Sequence, residues 1–256
     1  MNLAYALSGF VVGAIVGLTG VGGGSLMTPL LMLVFGINPA TAVGTDLLYA
    51  SLTKAGGTVV HSLKGTVDWR ITGRLAAGSI PATAITIYVL LRLGASNQHT
   101  SSVISVALGF ALLLTAAAII FRQKLMEYAQ SRPQPAERTV VVATVITGAI
   151  LGVLVSISSV GAGALGVAAL VFLYPKLPTV RIVGSDIAHA VPLTLIAGLG
   201  HWALGSVDFE LLGSLLIGSL PGIAVGSHIS TKVPERILRP TLAVMLVLIG
   251  GKLILH

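Results

Sequence analysis

The chain has 256 residues, of which 55% are hydrophobic and only 9% are charged, and its mean hydropathy is +0.98. Soluble domains carry about 25% charged residues to cover their surface, so this composition excludes a soluble fold and indicates a polytopic membrane protein. The net charge of +7 comes from basic residues scattered between apolar runs, which excludes a nucleic-acid-binding face. The absence of cysteine excludes disulfides and thiolate metal sites.

Ten apolar runs predict an all-α membrane protein. The first run has no basic segment before it and no cleavage site after it, so we expect a retained helix rather than a signal peptide. A full crossing needs about 20 residues, and the second run of each half is too short. It is expected to form a re-entrant hairpin with the first run, or a pair of short tilted spans. The runs are 3–19, 25–36, 41–61, 70–93 and 101–121, then 139–157, 164–175, 181–203, 208–230 and 238–255.

The two halves of the chain repeat each other at an offset of 140 residues. Between residues 43 and 84, 14 of 42 positions are identical in the second copy, without a gap. The matches include Asp, His and Pro, which a Leu- and Ala-rich composition does not give by chance. Internal repeats of this kind are typical of membrane transporters, which bind their substrate where the halves meet.

The repeat divides the chain into a first transmembrane repeat (1–121), a polar linker (122–138) and a second transmembrane repeat (139–256). If each half is a hairpin plus three crossings, the halves have inverted topology. Cytoplasmic loops attract basic residues, and this arrangement places 12 of the 15 Lys and Arg residues on the cytoplasmic side. We therefore predict a multi-pass protein of the inner membrane with both termini outside and the linker in the cytoplasm.

A break rich in small residues separates the first and second runs of each half. Broken helices leave backbone N–H groups without intrahelical partners, and such groups at a helix start carry partial positive charge and bind anions. Small residues also allow close helix packing, which is the alternative explanation. Two breaks at matching places favour a substrate site. Its candidates are Gly22, Gly23, Gly24 and Ser25 in the first copy and Ser158, Ser159, Gly161 and Gly163 in the second.

A polar stripe follows helical spacing on the third run of each half. Ionisable groups inside a span are costly and usually face the bundle interior or a water-filled path. Lys54 either neutralises an anionic substrate or pairs with Asp46 or Asp186, and the residues leave both alternatives open. His61 and His201 lie at helix ends, where capping competes with proton transfer as their role. The candidates for proton coupling are Asp46, Asp186, His61, His189 and His201.

The turns before these striped helices supply further polar groups. Asn38, Thr45 and Ser185 are added to the candidate substrate site because hydroxyls and amides donate hydrogen bonds to anion oxygens. Asp68 and Asp208 follow as Gly-Thr-Val-Asp and Gly-Ser-Val-Asp, directly before the next helix. That position is typical of an N-cap, so these two carboxylates are predicted to be structural.

At these residues the chain resembles the TauE/SafE family of sulfite exporters, a broad group of bacterial anion transporters. The resemblance covers nearly the whole chain. It rests on GLTGVGGGSLMTPLL at 17–31, INPATAVGTDLLYASLTKAGGTVVHSLKGTVDW at 37–69, VGSDIAHAVPLTLIAGLGHWALGSVD at 183–208 and LPGIAVGSHIS at 220–230. The resemblance implies export or exchange of small sulfur-containing anions such as sulfite or organosulfonates. The second copy has fewer glycines in its break, and the striped span is unusually charged, so other substrates stay open.

We therefore predict a transporter that works by alternating access between inverted repeats, without a cofactor, metal or catalytic residue of its own. The expected partners are a small anion and the lipid bilayer, and assembly into a homo-oligomer is left open. No Walker motif is present in the sequence, so nucleotide hydrolysis is not expected. The alternatives are a transporter of small carboxylates and a non-transporting membrane subunit. An intramembrane serine protease using Ser25 and His61 is disfavoured, because the two lie at different predicted depths.

Overall fold

The computed structural model describes residues 3–19, 24–94, 98–131, 136–229 and 235–255. Within these ranges the protein is all-helical and contains no strand, as the composition predicts. The helices follow the predicted apolar runs closely, with one addition in the linker. They are α1 (Leu3–Thr19), α2 (Gly24–Leu33), α3 (Pro39–Leu63), α4 (Trp69–Leu93), α5 (Gln98–Ile120), α6 (Arg122–Ser131), α7 (Glu137–Ser158), α8 (Ala164–Leu173), α9 (Thr179–Ala203), α10 (Phe209–Ile229) and α11 (Glu235–Leu255).

Five of the helices in the described ranges are long and apolar enough to cross a membrane: α4, α5, α7, α9 and α10. By contrast, α2 and α8 have 10 residues each. At 1.5 Å per residue each is about 15 Å long, half the thickness of the hydrocarbon core. Neither short helix can therefore span the bilayer, and each follows a break after a longer helix.

Polar residues cap the starts of three helices, two of them as the sequence predicts and the third at Asn38. The Asn38 side chain accepts a hydrogen bond from the Ala40 amide at the start of α3 (2.9 Å). Asp68 accepts from the Arg70 amide (3.1 Å) at the start of α4, and Asp208 accepts from the Leu211 amide (2.9 Å) at the start of α10. These bonds satisfy N–H groups that the first helical turn leaves without partners. The predicted N-cap role of both aspartates is confirmed.

The polar linker contains a helix that its prolines did not suggest. Residues 122–131 form α6, and the prolines follow only at positions 133 and 135 of the sequence. Met126 and Ala129 share one face of α6 and join a hydrophobic cluster, and the Tyr128 ring meets Phe172 of α8 edge to face. This apolar contact holds the first part of the linker against the second half of the protein.

The long helices pack in pairs that join the two halves. α1 packs against α10, and α4 packs against α7, which is the same pairing with the halves exchanged. α3 pairs with α9 and α5 with α11, so each of these helices meets its own counterpart. Glycines permit the close approach: a Cβ at Gly78 would collide with Val145 O of α7, and one at Gly218 with Ala6 O of α1. Small residues serve this purpose in membrane helix interfaces generally.

The outer surface is apolar along whole helix faces. On α7, Val142, Ile146 and Ile150 follow a spacing of four residues and are each more than half exposed. Residues four apart lie on one helix face, so they form a continuous hydrophobic stripe. A stripe of this kind suits contact with lipid rather than water.

Candidate functional site

The halves interlock where α3 meets α9. Gly44 of α3 lies so close to Ser206 O that a Cβ there would overlap it, and Gly184 of α9 approaches Thr66 O in the same way. The next residue in each helix carries a hydroxyl group that accepts a hydrogen bond from the opposite half. Thr45 Oγ1 accepts a hydrogen bond from the Asp208 amide (3.1 Å). This reciprocal contact brings the two polar stripes into the middle of the protein.

Ser185, the counterpart of Thr45, makes the same contact from the other side. Its Oγ accepts from the Asp68 amide (2.8 Å) and donates to the Arg181 carbonyl oxygen (2.7 Å). Arg181 also reaches Asp68 through an ion pair with an N···O distance of 3.4 Å. The hydroxyls of Thr45 and Ser185 therefore hold the halves together, and their contact with substrate stays a prediction.

The break between α7 and α8 is an unusual piece of backbone. Ser159 adopts a left-handed conformation (φ 58°), and Gly161 and Gly163 have φ values of 125° and 136° that favour glycine. The break is buried, with Val160 only 1% exposed and Ser159 5% exposed. Ser158 Oγ accepts from the Val160 amide and donates to Leu154 O, so this serine stabilises the end of α7. α8 then begins at Ala164, and its Gly166 and Val167 amides donate to the carbonyl oxygens of Gly161 and Gly163 in the break (3.2 and 2.8 Å).

Lys54 connects the two halves at this break. Its Nζ donates a hydrogen bond to the carbonyl oxygen of Ala162 at 2.8 Å. Lys54 lies on α3 of the first half, and Ala162 lies between α7 and α8 of the second half. The lysine is also close enough to Asp186 and Asp46 to interact with both electrostatically. No ion pair within 4.0 Å joins these three residues in the described structure, so both alternatives for Lys54 stay open.

Two buried carboxylates flank Lys54. Asp46 is fully buried on α3, and its Oδ2 accepts a hydrogen bond from Thr28 Oγ1 of α2 (2.5 Å). Asp186 is 1% exposed on α9, and its Oδ1 lies against Gly166 of α8, where a Cβ would collide with it. Each aspartate therefore packs on the short helix of a half. Among the described residues, Oδ1 of both aspartates lacks a hydrogen-bond partner.

The Ser159 hydroxyl lies beside the Asp46 carboxylate. It is another buried polar group without a partner of its own in the described structure. A buried polar group left unpaired is costly, and clusters of such groups usually mark sites where a ligand or water completes the bonding. Ser159, Asp46, Lys54 and Asp186 form one such cluster, which we call the central site.

The three histidines have different surroundings. His189 Nε2 is 2.8 Å from Ser79 Oγ of α4, and the ring is fully buried. His201 Nε2 is 2.9 Å from the carbonyl oxygen of Ser156 in α7. His61 Nδ1 is 2.8 Å from Thr66 Oγ1 in the loop that follows its own helix, which fits the capping alternative. Of the three, His189 is near Lys54 and therefore belongs to the surroundings of the central site.

The predicted site residues thus separate into groups. Lys54, Ser159, Asp46, Asp186 and the glycine-bearing break lie together. Asn38 caps α3, with its amide 3.4 Å from Ser101 Oγ, and Gly24 begins α2. Ser25 is buried in the first turn of α2. Gly22 and Gly23 lie outside the described residues.

Sequence reasoning missed Thr28 and Ser79, which bond to Asp46 and His189. Thr28 carries no signal, because its counterpart in the repeat is Ala168. Ser79 does carry one: it is identical to Ser219 in the second copy, and its partner His189 corresponds to Tyr49. A polar residue repeated inside an apolar span indicates equivalent contacts in the two halves.

Comparison with known proteins identifies the family. The family model described as "Sulfite exporter TauE/SafE" matches residues 5–253. The chain belongs to this family. It is 41% identical over 259 residues to the probable membrane transporter protein YjnA of Bacillus subtilis, covering 99% of this chain and all of the relative. The probable membrane transporter protein YdhB of the same organism is 27% identical over 90% of this chain and 91% of the relative.

A probable membrane transporter protein of Xylella fastidiosa (strain Temecula1) is 28% identical over 88% of this chain and 84% of the relative. No solved structure shows significant similarity. The resemblance seen in the motifs is thereby confirmed, and the protein is a TauE/SafE membrane transporter with several spans. The names of the relatives give no substrate, so the transported anion is a matter for proposal.

Proposed function

We propose that this TauE/SafE protein exports small sulfur-containing anions, such as sulfite or organosulfonates, across the inner membrane. The observation that carries the proposal is the hydrogen bond from Lys54 to Ala162 O in the α7–α8 break. A lysine held inside a membrane protein is costly, and such residues usually serve a function. Here its ammonium group lies beside the backbone of the break, where a bound anion would approach. It could release the Ala162 carbonyl oxygen and donate its hydrogen bond to an anion oxygen instead.

The break supplies the other groups that an anion requires. The Gly166 and Val167 amides of α8 already bond to carbonyl oxygens of the break, which leaves the amides of Ala164 and Leu165 as its donors. The Ser159 hydroxyl, beside Asp46, is a further donor. Sulfite and sulfonate groups present three oxygens, which several donors around one point can hold together. Charge-assisted hydrogen bonds to such oxygens are about twice as strong as neutral ones.

The way the halves are joined supports alternating access as the mechanism. The central site takes Lys54 from the first half and the break from the second, so a rocking motion of one half against the other would open it to either side. The exchanged helix pairs α1–α10 and α4–α7 support a pseudo-two-fold relation between the halves, as inverted repeats require.

The test is transport in proteoliposomes containing the purified protein. Sulfite, methanesulfonate and acetate are offered separately, with the membrane potential fixed by potassium and valinomycin. We expect the two sulfur anions to move faster than acetate. Equal or faster acetate transport would overturn the sulfur specificity in favour of the carboxylate alternative. The absence of protein-dependent flux for every anion would favour a non-transporting subunit.

Lys54→Ala is the variant that tests the site, with Lys252→Ala as its control, because Lys252 is exposed near the end of α11. Loss of one charge-assisted hydrogen bond costs about 1.5–3 kcal/mol, which corresponds to a roughly tenfold to hundredfold weaker anion affinity. The control is expected to keep wild-type affinity. Unchanged affinity in a folded Lys54→Ala protein would remove Lys54 from the anion site.

A further inference from the structure

The charges around Lys54 do not balance. One lysine lies near two buried carboxylates, Asp46 and Asp186. Both carboxylates would repel an anion bound beside the lysine. With all three groups charged, the central site is already negative before an anion arrives. Like charges brought together in a buried site strongly disfavour one another. An anion can therefore settle beside Lys54 only if the negative charge of the site is reduced at the same time.

The two carboxylates are not equivalent. Asp46 receives the Thr28 hydroxyl, and a hydrogen bond donated to a carboxylate favours its ionised form. The repeat places Ala168 at the position equivalent to Thr28, so Asp186 has no matching hydroxyl on α8. Oδ1 of both carboxylates lacks a hydrogen-bond partner in the described structure, and that of Asp186 lies against the Gly166 backbone, so the Thr28 hydroxyl is what distinguishes Asp46. Asp186 is the carboxylate whose charge is less well compensated.

The helices packed around α9 bring few charges to Asp186. Lys54 of α3 faces it, and α8 carries no ionisable side chain. On α4 and α7 the charged side chains lie near the helix ends. On α9 itself, His189 follows within one turn and is engaged with Ser79, while Arg181 pairs with Asp68. The remaining ionisable groups on these helices are Asp46, Tyr49 and His61 on α3, Arg70, Arg74, Tyr88 and Arg92 on α4, Glu137 and Arg138 on α7, and His201 on α9.

We infer that each anion crosses together with a proton carried by the Asp186 carboxyl group, an inference that rests on the proposed function. The proton comes from water on the side where the site is open and binds Asp186, which removes one negative charge. Lys54 then exchanges Ala162 O for the anion. When the site opens to the other side, the anion leaves and Asp186 returns its proton to water there. A monoanion and a proton moving together transfer no net charge.

The proton count is measured in proteoliposomes that contain a pH-sensitive dye and face an inward methanesulfonate gradient. Methanesulfonate is the anion of a strong acid and carries no titrating proton, so any proton that accompanies it is bound by the protein. Sulfite is run in parallel. We expect the lumen to acidify with about one proton per anion, and the flux to be insensitive to membrane potential, since no charge crosses.

Asp186→Asn keeps the shape of the side chain against Gly166 but cannot release a proton. We expect its proton-to-anion ratio to fall from about one to near zero, with any remaining flux becoming sensitive to membrane potential. The matched control is Glu127→Gln, which removes an exposed carboxylate from α6 and should behave as wild type. Melting of both variants in detergent establishes that they are folded.

Anion flux in the wild type without proton flux would overturn the coupling and leave the proposed function standing. Acidification by Asp186→Asn equal to that of the wild type would remove Asp186 as the carrier. If neither anion moves, the proposed function fails and this inference fails with it. Because the wild-type stoichiometry decides the coupling by itself, the test stands even if Asp186→Asn does not fold.

Discussion

Gly166 shows how single atoms shape the central site. Its Cα lies against Oδ1 of Asp186, and any added Cβ would collide with that carboxylate. The glycine therefore sets the distance between α8 and α9, and through it the position of the carboxylate relative to Lys54. Neither helix propensity nor hydrophobic pattern predicts this contact, since glycine weakens a helix interior.

Gly166→Ala is predicted to lower stability, because the carboxylate has to move within a packed interior. Overpacking of this kind costs about 1–3 kcal/mol. The control is Gly213→Ala on α10, where nothing lies within 4 Å of an added Cβ. There alanine should be neutral or stabilising by up to about 1 kcal/mol. Melting in detergent compares the two, and a Gly166→Ala protein as stable as Gly213→Ala would contradict the packing described here.

Individual charged residues were predictable as members of the site, but their partners were not. Ionisable groups are rare in apolar helices, so the sequence alone marks Lys54, Asp46 and Asp186 as candidates. The contact of Lys54 with Ala162 O joins residues 108 apart in the chain, and no local pattern encodes such a distance. Thr45 and Ser185 were predicted to donate hydrogen bonds to the substrate, and this stays a prediction. What the sequence did not predict is that both accept backbone N–H groups of the opposite half.

Among the helices, α3 and α9 make the contacts that hold the two halves together. In each helix a glycine packs against a loop carbonyl oxygen of the opposite half. The next residue has a hydroxyl group that accepts a hydrogen bond from the backbone N–H of an aspartate. The repeated Val-Gly-Thr/Ser-Asp sequence thus encodes two contacts and a carboxylate in four residues. The helix boundaries themselves were largely predictable, because hydrophobic runs and N-caps are local signals.

The contacts between α3, α9 and the opposite halves predict that Thr45→Val and Ser185→Ala lower the stability of the protein. Each removes the acceptor of a partly buried N–H group, and leaving such a donor unsatisfied costs about 1–3 kcal/mol. Ser105→Ala is the control, because Ser105 only returns a hydrogen bond to Ser101 O within α5. We expect lower melting temperatures for the first two variants, with anion affinity unchanged. Weaker anion binding without loss of stability would place these hydroxyls at the substrate instead.

The linker shows where sequence patterns at this scale fall short. Its charges and prolines indicate a polar linker without a helix, yet α6 forms and packs on α8 through Met126, Ala129 and Tyr128. The apolar face of α6 contains only a few residues. The Lys, Arg and Glu residues around them keep the mean hydropathy of the segment low, so the face is not visible as an apolar run. Only the presence of a partner surface on α8 decides between helix and coil.

On the scale of the whole molecule, the described helices form two interlocked halves whose contacts recur with the roles exchanged. α1–α10 corresponds to α4–α7, and α3–α9 and α5–α11 each pair a helix with its own counterpart. The 140-residue repeat made such a relation predictable, whereas which helices pair across it was not. The orientation of the halves in the membrane stays a prediction, supported by the distribution of basic residues.

We expect the α7–α8 break to line a site that is reached alternately from the two sides of the membrane. The chain contains no cysteine, so Ser159→Cys places a single thiol of similar shape at the break. Oriented proteoliposomes are treated with a membrane-impermeant, negatively charged thiol reagent, applied outside or trapped inside. We expect the reagent to label the thiol from each side, and to label it more slowly when Lys54→Ala is added. Labelling from one side only, or at a rate independent of Lys54, would contradict it.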